Sequence, residues 1–193
     1  ITGSHNPPEY NGFKIVINDK TFSADDIQIL YQRIIKEEYL MGEGEMSNSN
    51  VKPSYLEKIY SDIKLARPIR IAIDCGNGAA SVCAEELYKG IGAKVESLFC
   101  NIDGNFPNHH PDPSNLKNLI SLQETLLKGD SELGLAFDGD ADRLGVVSKK
   151  GEVIFPDRQL LLFAEDVLKN NPGASIIFDV KSTRHLFSWI EDR

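Results

Sequence analysis

The chain has 193 residues, of which 41% are hydrophobic and 26% are charged, a composition typical of a globular protein with one or two compact domains. Its net charge of −8 argues against a nucleic-acid-binding protein, which needs a basic surface, so we expect no nucleic acid partner. No apolar run reaches the length of about 18 residues that predicts a membrane span, so we expect no membrane partner. The three cysteines have no metal-ligand spacing, which indicates reduced thiols in a cytoplasmic protein.

The first motif along the chain is a loop rich in glycine, asparagine and proline, with the sequence Thr-Gly-Ser-His-Asn-Pro-Pro at residues 2–8. These residue types favour a tight, pre-formed turn, and Ser4 is its candidate nucleophile. A serine needs a nearby base or cation to react, and His5 and Lys14 are the available groups. A Ser-His dipeptide is common in proteins, so this loop alone does not establish a catalytic site.

The next segment is predicted to form a strand, a helix and a linker. A short strand is expected over residues 12–17, and Ser23 is expected to cap a helix, with Asp26 completing a capping box. Four apolar residues then follow at helical spacing, which predicts a helix packed on a core through one face. Residues 42–50 are rich in Gly, Ser, Asn and Glu and indicate a linker and a domain boundary. Pro53 suits the first turn of the next helix.

From residue 70 onward, strand patterns alternate with helix patterns. Strands are expected over residues 71–73, 94–100 and 133–137, with a hairpin joining 146–147 to 153–155, and helices are expected between the first three. A further helix from residue 156, a strand over 175–179 and a broken helix complete the chain. This order predicts an α/β fold, with mixed, largely parallel sheets and helices on both faces.

Three aspartates at every second position, Asp138, Asp140 and Asp142, directly follow the apolar run 133–137. They therefore lie at the carboxyl end of a predicted strand, where open α/β sheets bind ligands, and their oxygens suit Mg²⁺. A charged surface turn is the alternative, but three clustered acids repel one another unless a cation is present. An EF-hand would need glycine and glutamate where the chain has Arg143 and Lys149, so a calcium loop of that type is rejected.

Five motifs together resemble one family over essentially the whole chain. They are Thr-Gly-Ser-His-Asn-Pro-Pro at 2–8, Asn-Gly-Phe-Lys at 11–14, Asp-Cys-Gly-Asn-Gly at 74–78, Gly-Asn-Phe-Pro-Asn-His-His-Pro-Asp-Pro at 104–113, and Asp-Gly-Asp-Ala-Asp-Arg at 138–143. In this order they resemble the alpha-D-phosphohexomutases, most closely the bacterial phosphomannomutase/phosphoglucomutases. The chain departs from the family at Ala141, where many members have glycine, and a second small residue should be tolerated there.

The resemblance implies an isomerase that moves a phosphoryl group between positions 1 and 6 of mannose or glucose phosphates through a 1,6-bisphosphate. It implies Ser4 as the phosphoserine, with Ser4, Asp138, Asp140 and Asp142 as Mg²⁺ ligands. It further implies catalytic roles for His5, Lys14 and Arg143, with the choice of acid or base between Lys14 and Arg143 left open. Glucose 1,6-bisphosphate is the implied activator, hexose phosphates are the implied partners, and the full-length enzyme is expected to be a monomer.

The family's four-domain organisation suggests where this chain fits. The chain starts without a methionine, at Ile1, and ends at Arg193 inside a helical pattern, so we expect an internal part of a longer protein. Residues 1–50 are expected to end domain 1 with the serine loop, 51–152 to form domain 2 with the metal loop, and 153–193 to begin domain 3. Because the sugar-binding loop of domain 3 and the phosphate-binding loop of domain 4 would be missing, the chain alone is expected to be inactive.

Two other functions remain open at this stage. A phosphoglucosamine mutase would keep the same mechanism and differ in substrate. A non-catalytic metal-binding phosphoprotein is the alternative from another class, and the intact set Ser4, Lys14, Arg143 and three aspartates argues against it.

Overall fold

The computed structural model describes residues 9–192, which divide between two compact units, Ile1–Ile59 and Tyr60–Arg193. The strands are β1 (Val16–Ile17), β2 (Lys20–Thr21), β3 (Arg70–Asp74), β4 (Lys94–Leu98), β5 (Leu133–Phe137), β6 (Leu144–Ser148) and β7 (Val153–Ile154). The helices are α1 (Ala24–Ile35), α2 (Lys52–Asp62), α3 (Ala84–Gly90), α4 (Ile120–Lys128), α5 (Pro156–Asn170) and α6 (His185–Glu191). Single turns of 3₁₀-helix at Ala79–Val82 and Leu116–Leu119 precede α3 and α4. No helix among residues 9–192 has the length and apolar character needed to cross a membrane.

The first unit contains a hairpin and the capped helix α1. The strand predicted over 12–17 is confined to Val16–Ile17, and it ends at Ile17 because Asn18 and Asp19 adopt positive φ values of 51° and 60° and turn the chain into β2. The capping box is confirmed: the backbone N–H and the hydroxyl of Ser23 both donate to Oδ2 of Asp26, at 3.0 and 3.1 Å. Residues 42–50 have no regular structure, as predicted, but the two compact units divide between Ile59 and Tyr60 rather than within this segment.

The expectation that α1 lies on a core is wrong for this chain. No residue of α1 is buried, and Ile27, Tyr31 and Ile34 on its apolar face are 38%, 52% and 49% exposed. Within the described part of the first unit, a two-stranded hairpin is the only sheet, and it offers too little apolar surface to cover a helix.

The second unit is built on a five-stranded sheet in the order β4-β3-β5-β6-β7. The pairs β4-β3 and β3-β5 are parallel, whereas β5-β6 and β6-β7 are antiparallel. The sheet is therefore mixed, as predicted, but it is not largely parallel, because its parallel and antiparallel pairs are equal in number. The predicted hairpin between β6 and β7 is confirmed, and β7 therefore belongs to this sheet. The strand predicted over 175–179 does not form, because no described strand lies beside this segment to complete its hydrogen bonds.

Helices cover both faces of the sheet, which confirms the predicted α/β architecture. One core cluster contains Ile71, Ile73, Leu135 and Val146 together with Ala80 and Ala84 from the segment that includes α3. The other contains Ala72, Ala136 and Val147 together with Leu119, Leu122 and Leu126 from the segment that includes α4. Because β3 and β5 are covered on both faces, their sequences are continuously apolar until each strand ends at the same edge of the sheet.

Candidate functional site

The three aspartates of the predicted metal loop converge on one point at the carboxyl end of β5. Each of Asp138, Asp140 and Asp142 offers a carboxylate oxygen, and these three atoms all lie within 4.8 Å of one another. Asp138 is fully buried, Asp140 is half-buried and Asp142 is exposed, so the cluster opens from the interior toward solvent. The loop is closed by the backbone N–H of Arg143, which donates to Oδ1 of Asp138 at 3.0 Å.

Ala141 adopts the left-handed backbone conformation that this loop requires. Its φ is +62°, and its N–H donates to the carbonyl oxygen of Asp138 at 3.1 Å, which tightens the turn. An L-residue other than glycine adopts this conformation only at a cost, because its Cβ approaches the backbone. Glycine would adopt this conformation without that cost.

Replacement of Ala141 by glycine is therefore expected to stabilise the protein by about 1 kcal/mol, whereas A141V should destabilise it by a larger amount. Urea unfolding monitored by circular dichroism measures both changes. Ala66→Gly is the matched control, because the φ of Ala66 is not positive and glycine there should give a small loss of stability. Equal effects of A141G and A66G would contradict the strain at Ala141.

The electrostatics of the loop fit a divalent cation. Burial, followed by the nearby charges of Asp140 and Asp142, raises the pKa of the Asp138 carboxyl above its ordinary value. A bound cation would relieve this repulsion. In an octahedral Mg²⁺ shell, neighbouring ligand oxygens are about 3 Å apart and at most one pair among three ligands can be opposite, so the three carboxylates would draw closer together to share one ion. The oxygen donors and their clustering at one end of the loop are therefore appropriate for Mg²⁺.

Arg143 places a guanidinium group beside the same cluster. Its Nε lies 3.7 Å from Oδ2 of Asp138 and 3.8 Å from Oδ1 of Asp142, and its side chain is 53% exposed. The structure thus brings Arg143 together with the three aspartates. A permanent positive charge at the open side of an acidic loop can bind an anionic group next to the cation.

A turn that follows β3 is hydrogen-bonded to the loop of residues 138–143, which we call the aspartate loop. We call residues 76–78, Gly-Asn-Gly, the glycine turn. The N–H of Gly78 donates to the carbonyl oxygen of Cys75 at 2.8 Å, and the next N–H, from Ala79, donates to the carbonyl oxygen of Gly139 at 2.9 Å. A Cβ atom at Gly78 would lie 2.8 Å from that same oxygen of Gly139, so only glycine permits the close contact.

Asn77, at the centre of the glycine turn, also anchors the loop that follows β4. Its side-chain amide donates to the backbone carbonyl oxygen of Asn101 at 2.8 Å. The backbone carbonyl oxygen of Asn77 accepts from the N–H of Asp103 at 3.0 Å. The side-chain amide of Asn108 donates to Oδ1 of Asn77 at 2.8 Å. The glycine turn therefore holds the two loops at this edge of the sheet together.

A buried ion pair that was not predicted from the sequence lies at the same edge. Asp74 ends β3 with no solvent exposure, and Nε2 of His109 lies 3.0 Å from its Oδ2, while Nδ1 of His109 lies 3.0 Å from the carbonyl oxygen of His110. Both neighbours are hydrogen-bond acceptors, so the imidazole satisfies both only when both ring nitrogens carry protons. Accordingly, the hydrogen bond to Asp74 raises the pKa of His109 above 6.5. The sequence signal that could have indicated this site is an aspartate directly after an apolar run: Asp74 follows residues 71–73, just as Asp138 follows residues 133–137.

This pair predicts a pH dependence of stability. Because the folded-state pKa of His109 is raised, the ion pair's contribution to the free energy of unfolding is fully present below pH 6.5. This contribution is lost as the pH rises through the folded-state pKa of His109. His109→Gln is expected to cost about 2 kcal/mol at pH 6 and less at pH 9. Urea unfolding across this range tests the expectation, with H110Q at the exposed neighbouring histidine as the control. A loss of stability in H109Q that is independent of pH would contradict the charged pair.

The other predicted site residues lie elsewhere in the chain. Ser4 and His5 lie outside the described residues. Lys14 belongs to the first unit, is exposed, and precedes β1 without being part of a strand. The proposed roles of these three residues therefore remain predictions from the sequence.

Comparison with known proteins identifies relatives of both units. A family described as phosphoglucomutase/phosphomannomutase, alpha/beta/alpha domain II, matches residues 53–151, and the corresponding domain I matches residues 1–41. A phosphoglucomutase from Neisseria meningitidis is 55% identical over 194 aligned residues, covering 100% of this chain and 42% of the relative. A phosphomannomutase/phosphoglucomutase from Pseudomonas aeruginosa is 50% identical, covering 98% of this chain and 41% of the relative.

A solved structure agrees with these relatives. The crystal structure of a phosphoglucomutase/phosphomannomutase family protein from Burkholderia thailandensis superposes with a TM-score of 0.91 at 52% identity, covering 99% of this chain and 42% of that one. The chain thus spans about two fifths of the length of these similar proteins.

Proposed function

The chain belongs to the phosphoglucomutase/phosphomannomutase family, and we propose that the protein containing it is a mutase that interconverts hexose 1-phosphates and 6-phosphates. The proposed substrates are glucose and mannose phosphates, because relatives that are at least 50% identical are named as phosphoglucomutase or phosphomannomutase/phosphoglucomutase. The observation that carries the proposal is the convergence of three carboxylates beside an arginine, within the segment that matches the family.

In the proposed reaction, the phosphoryl group on Oγ of Ser4 passes to the free hydroxyl of the sugar phosphate. The Oγ–P bond breaks, a new O–P bond forms, and the hydroxyl proton passes to a base, which gives a 1,6-bisphosphate. After the sugar reorients, its other phosphoryl group returns to Ser4 and the proton returns to the sugar oxygen. Most of the barrier in such transfers is lowered by positioning and charge stabilisation.

Asp138, Asp140 and Asp142 would hold Mg²⁺, with an oxygen of phosphorylated Ser4 as a further ligand. Bound Mg²⁺ would supply positive charge that offsets the charge of the transferring phosphoryl group. Arg143 is held beside these carboxylates at 3.7 and 3.8 Å, and it would bind phosphoryl oxygens on the open side of the loop. Lys14 or Arg143 would assist proton transfer, and His5 would orient the serine loop.

We further propose that residues 1–50 end domain 1, residues 51–152 form domain 2 and residues 153–193 begin domain 3 of a longer enzyme, with the boundary between domains 2 and 3 shifted past β7 because Val153–Ile154 pairs with β6 in the same sheet. The proposal is supported by the family matches at 1–41 and 53–151 and by the 42% coverage of the longer relative. On this basis the chain alone should bind Mg²⁺ weakly and show little or no turnover. Multiple turnovers by the isolated chain would refute this part of the proposal.

A coupled mutase assay on the full-length protein tests the proposed function. The assay contains Mg²⁺ and a trace of glucose 1,6-bisphosphate, and it compares glucose 1-phosphate, mannose 1-phosphate and glucosamine 1-phosphate. Comparable turnover of the first two is the expected result. Turnover of the amino sugar alone would replace the substrate with that of a phosphoglucosamine mutase. No turnover of any sugar, with Ser4 already phosphorylated, would instead support a non-catalytic phosphoprotein.

A further inference from the structure

Two cysteines at the carboxyl edge of the sheet have their sulfur atoms in contact. Cys75 directly follows β3, Cys100 lies two residues after β4, and the two Sγ atoms are 2.9 Å apart. The N–H of Cys75 donates to the carbonyl oxygen of Leu98 at 3.1 Å, so the hydrogen bonding between β3 and β4 continues as far as Cys75.

The two thiols have different surroundings. Cys75 has no solvent exposure, whereas Cys100 is half-buried. The hydrogen bond with Cys100, followed by burial, raises the pKa of Cys75, and the hydrogen bond with Cys75 lowers the pKa of Cys100. A reactive thiol is one that is accessible and readily deprotonated, and a second thiol in contact with it can resolve its oxidised form.

We propose that Cys75 and Cys100 are a modification site, a dithiol that reacts with a hydroperoxide to form a reversible disulfide. The Cys100 sulfur attacks the peroxide, the O–O bond breaks, and Cys100 becomes a sulfenic acid with release of one water molecule when the peroxide is H₂O₂. The Cys75 sulfur then attacks Sγ of Cys100, and a second water molecule leaves as the S–S bond forms. Two thiols are oxidised and one peroxide is reduced, so the step balances.

The disulfide should form without moving the aspartate loop. An S–S bond is about 2.05 Å long, so the sulfur atoms need to approach by less than about 1 Å, and rotation about the side-chain bonds can supply this. The carbonyl oxygen of Cys75 accepts from the N–H of Gly78 in the glycine turn, and this hydrogen bond involves the backbone alone. Binding of Mg²⁺ to the oxidised protein should therefore stay within about two-fold of the reduced protein.

Peptide mapping of the full-length protein after treatment with one equivalent of H₂O₂ tests the proposal. We expect a peptide in which Cys75 is linked to Cys100, with a mass about 2 Da below that of the two separate peptides, and its disappearance after treatment with dithiothreitol. Cys100→Ser should abolish the link and leave Cys75 unmodified, because Cys75 is buried. C83S is the matched control, because Cys83 is a half-buried thiol on a different segment, and it should not affect the link.

The wild-type map can overturn the proposal without any variant. Conversion of Cys100 to sulfinic or sulfonic acid while Cys75 stays a thiol would show that Cys75 does not resolve the oxidised residue. Preferential oxidation of Cys83 would show that the pair is not the reactive site. A ten-fold loss of Mg²⁺ affinity on oxidation would refute the inference that the bond leaves the glycine turn in place. None of these results depends on whether the protein is a mutase, because they rest on the geometry of the second unit alone.

Discussion

Replacement of Asp138 by asparagine is expected to lower the affinity of the full-length protein for Mg²⁺ by at least about 100-fold, because even a group that only supports a metal ligand changes affinity by about 10–100-fold. The proposed phosphoryl transfer should slow by about 1,000-fold, the scale seen when one electrostatic contact to the transition state is lost. The reason is specific to this position. Asp138 is the buried member of the cluster, and its Oδ1 fixes the loop through the N–H of Arg143.

The substitution of Asp138 by asparagine removes its charge as a proposed metal ligand but keeps its hydrogen bond within the loop. Its Oδ1 can still accept from the N–H of Arg143, so the loop should keep its shape, but the negative charge is lost. Since burial and the charges of Asp140 and Asp142 oppose the ionised form of Asp138, the metal-free variant should be at least as stable as the wild type near neutral pH. Mg²⁺ should then stabilise the wild type against unfolding and leave D138N unchanged.

Calorimetric titration with Mg²⁺, steady-state turnover, and urea unfolding with and without a chelator measure these three quantities. Asp130→Asn is the matched control, because it makes the same chemical change at an exposed position before β5, at the opposite end of that strand. It should leave all three quantities near the wild-type values. A D138N protein that keeps its Mg²⁺ affinity, or that unfolds far more easily without metal, would mean that Asp138 is a structural residue rather than a metal ligand.

The second large effect is expected from Gly78→Ala, a residue that does not contact the proposed cation. The added Cβ would lie 2.8 Å from the carbonyl oxygen of Gly139 and 3.1 Å from its Cα, and both atoms belong to the backbone of the aspartate loop. Backbone cannot rotate away as a flexible side chain does, so the loop or the glycine turn must move. The expected cost is about 2 kcal/mol of unfolding free energy, together with a loss of Mg²⁺ affinity of about ten-fold.

The two readouts together distinguish displacement of the loop from simple destabilisation. Urea unfolding gives the free energy, and titration at a temperature far below the unfolding transition gives the affinity of the folded form. Gly44→Ala is the control, because a Cβ there would meet no atom within 4 Å. If G78A lost stability but bound Mg²⁺ with unchanged affinity, the glycine turn would not be what positions the aspartate loop.

The sequence by itself determined the local features of this protein. Asp138, Asp140 and Asp142 could be assigned to one loop because they are close neighbours in the chain, and the apolar run before them predicts a strand that is buried on both faces. The capping box at Ser23 depends on two residues three positions apart and was predicted for the same reason. The alternation of strands and helices likewise predicts an α/β fold, because each strand and helix pattern is contained within a short segment.

Only the tertiary structure decided which distant segments meet at the edge of the sheet. His109 pairs with Asp74 across 35 positions, and Cys100 meets Cys75 across 25, because parallel strands bring the loops that follow them to one side. The exposure of α1 and the absence of a strand at 175–179 have the same origin. An amphipathic face or a strand pattern shows what a segment can pack against, whereas burial and pairing need a partner that local sequence does not specify.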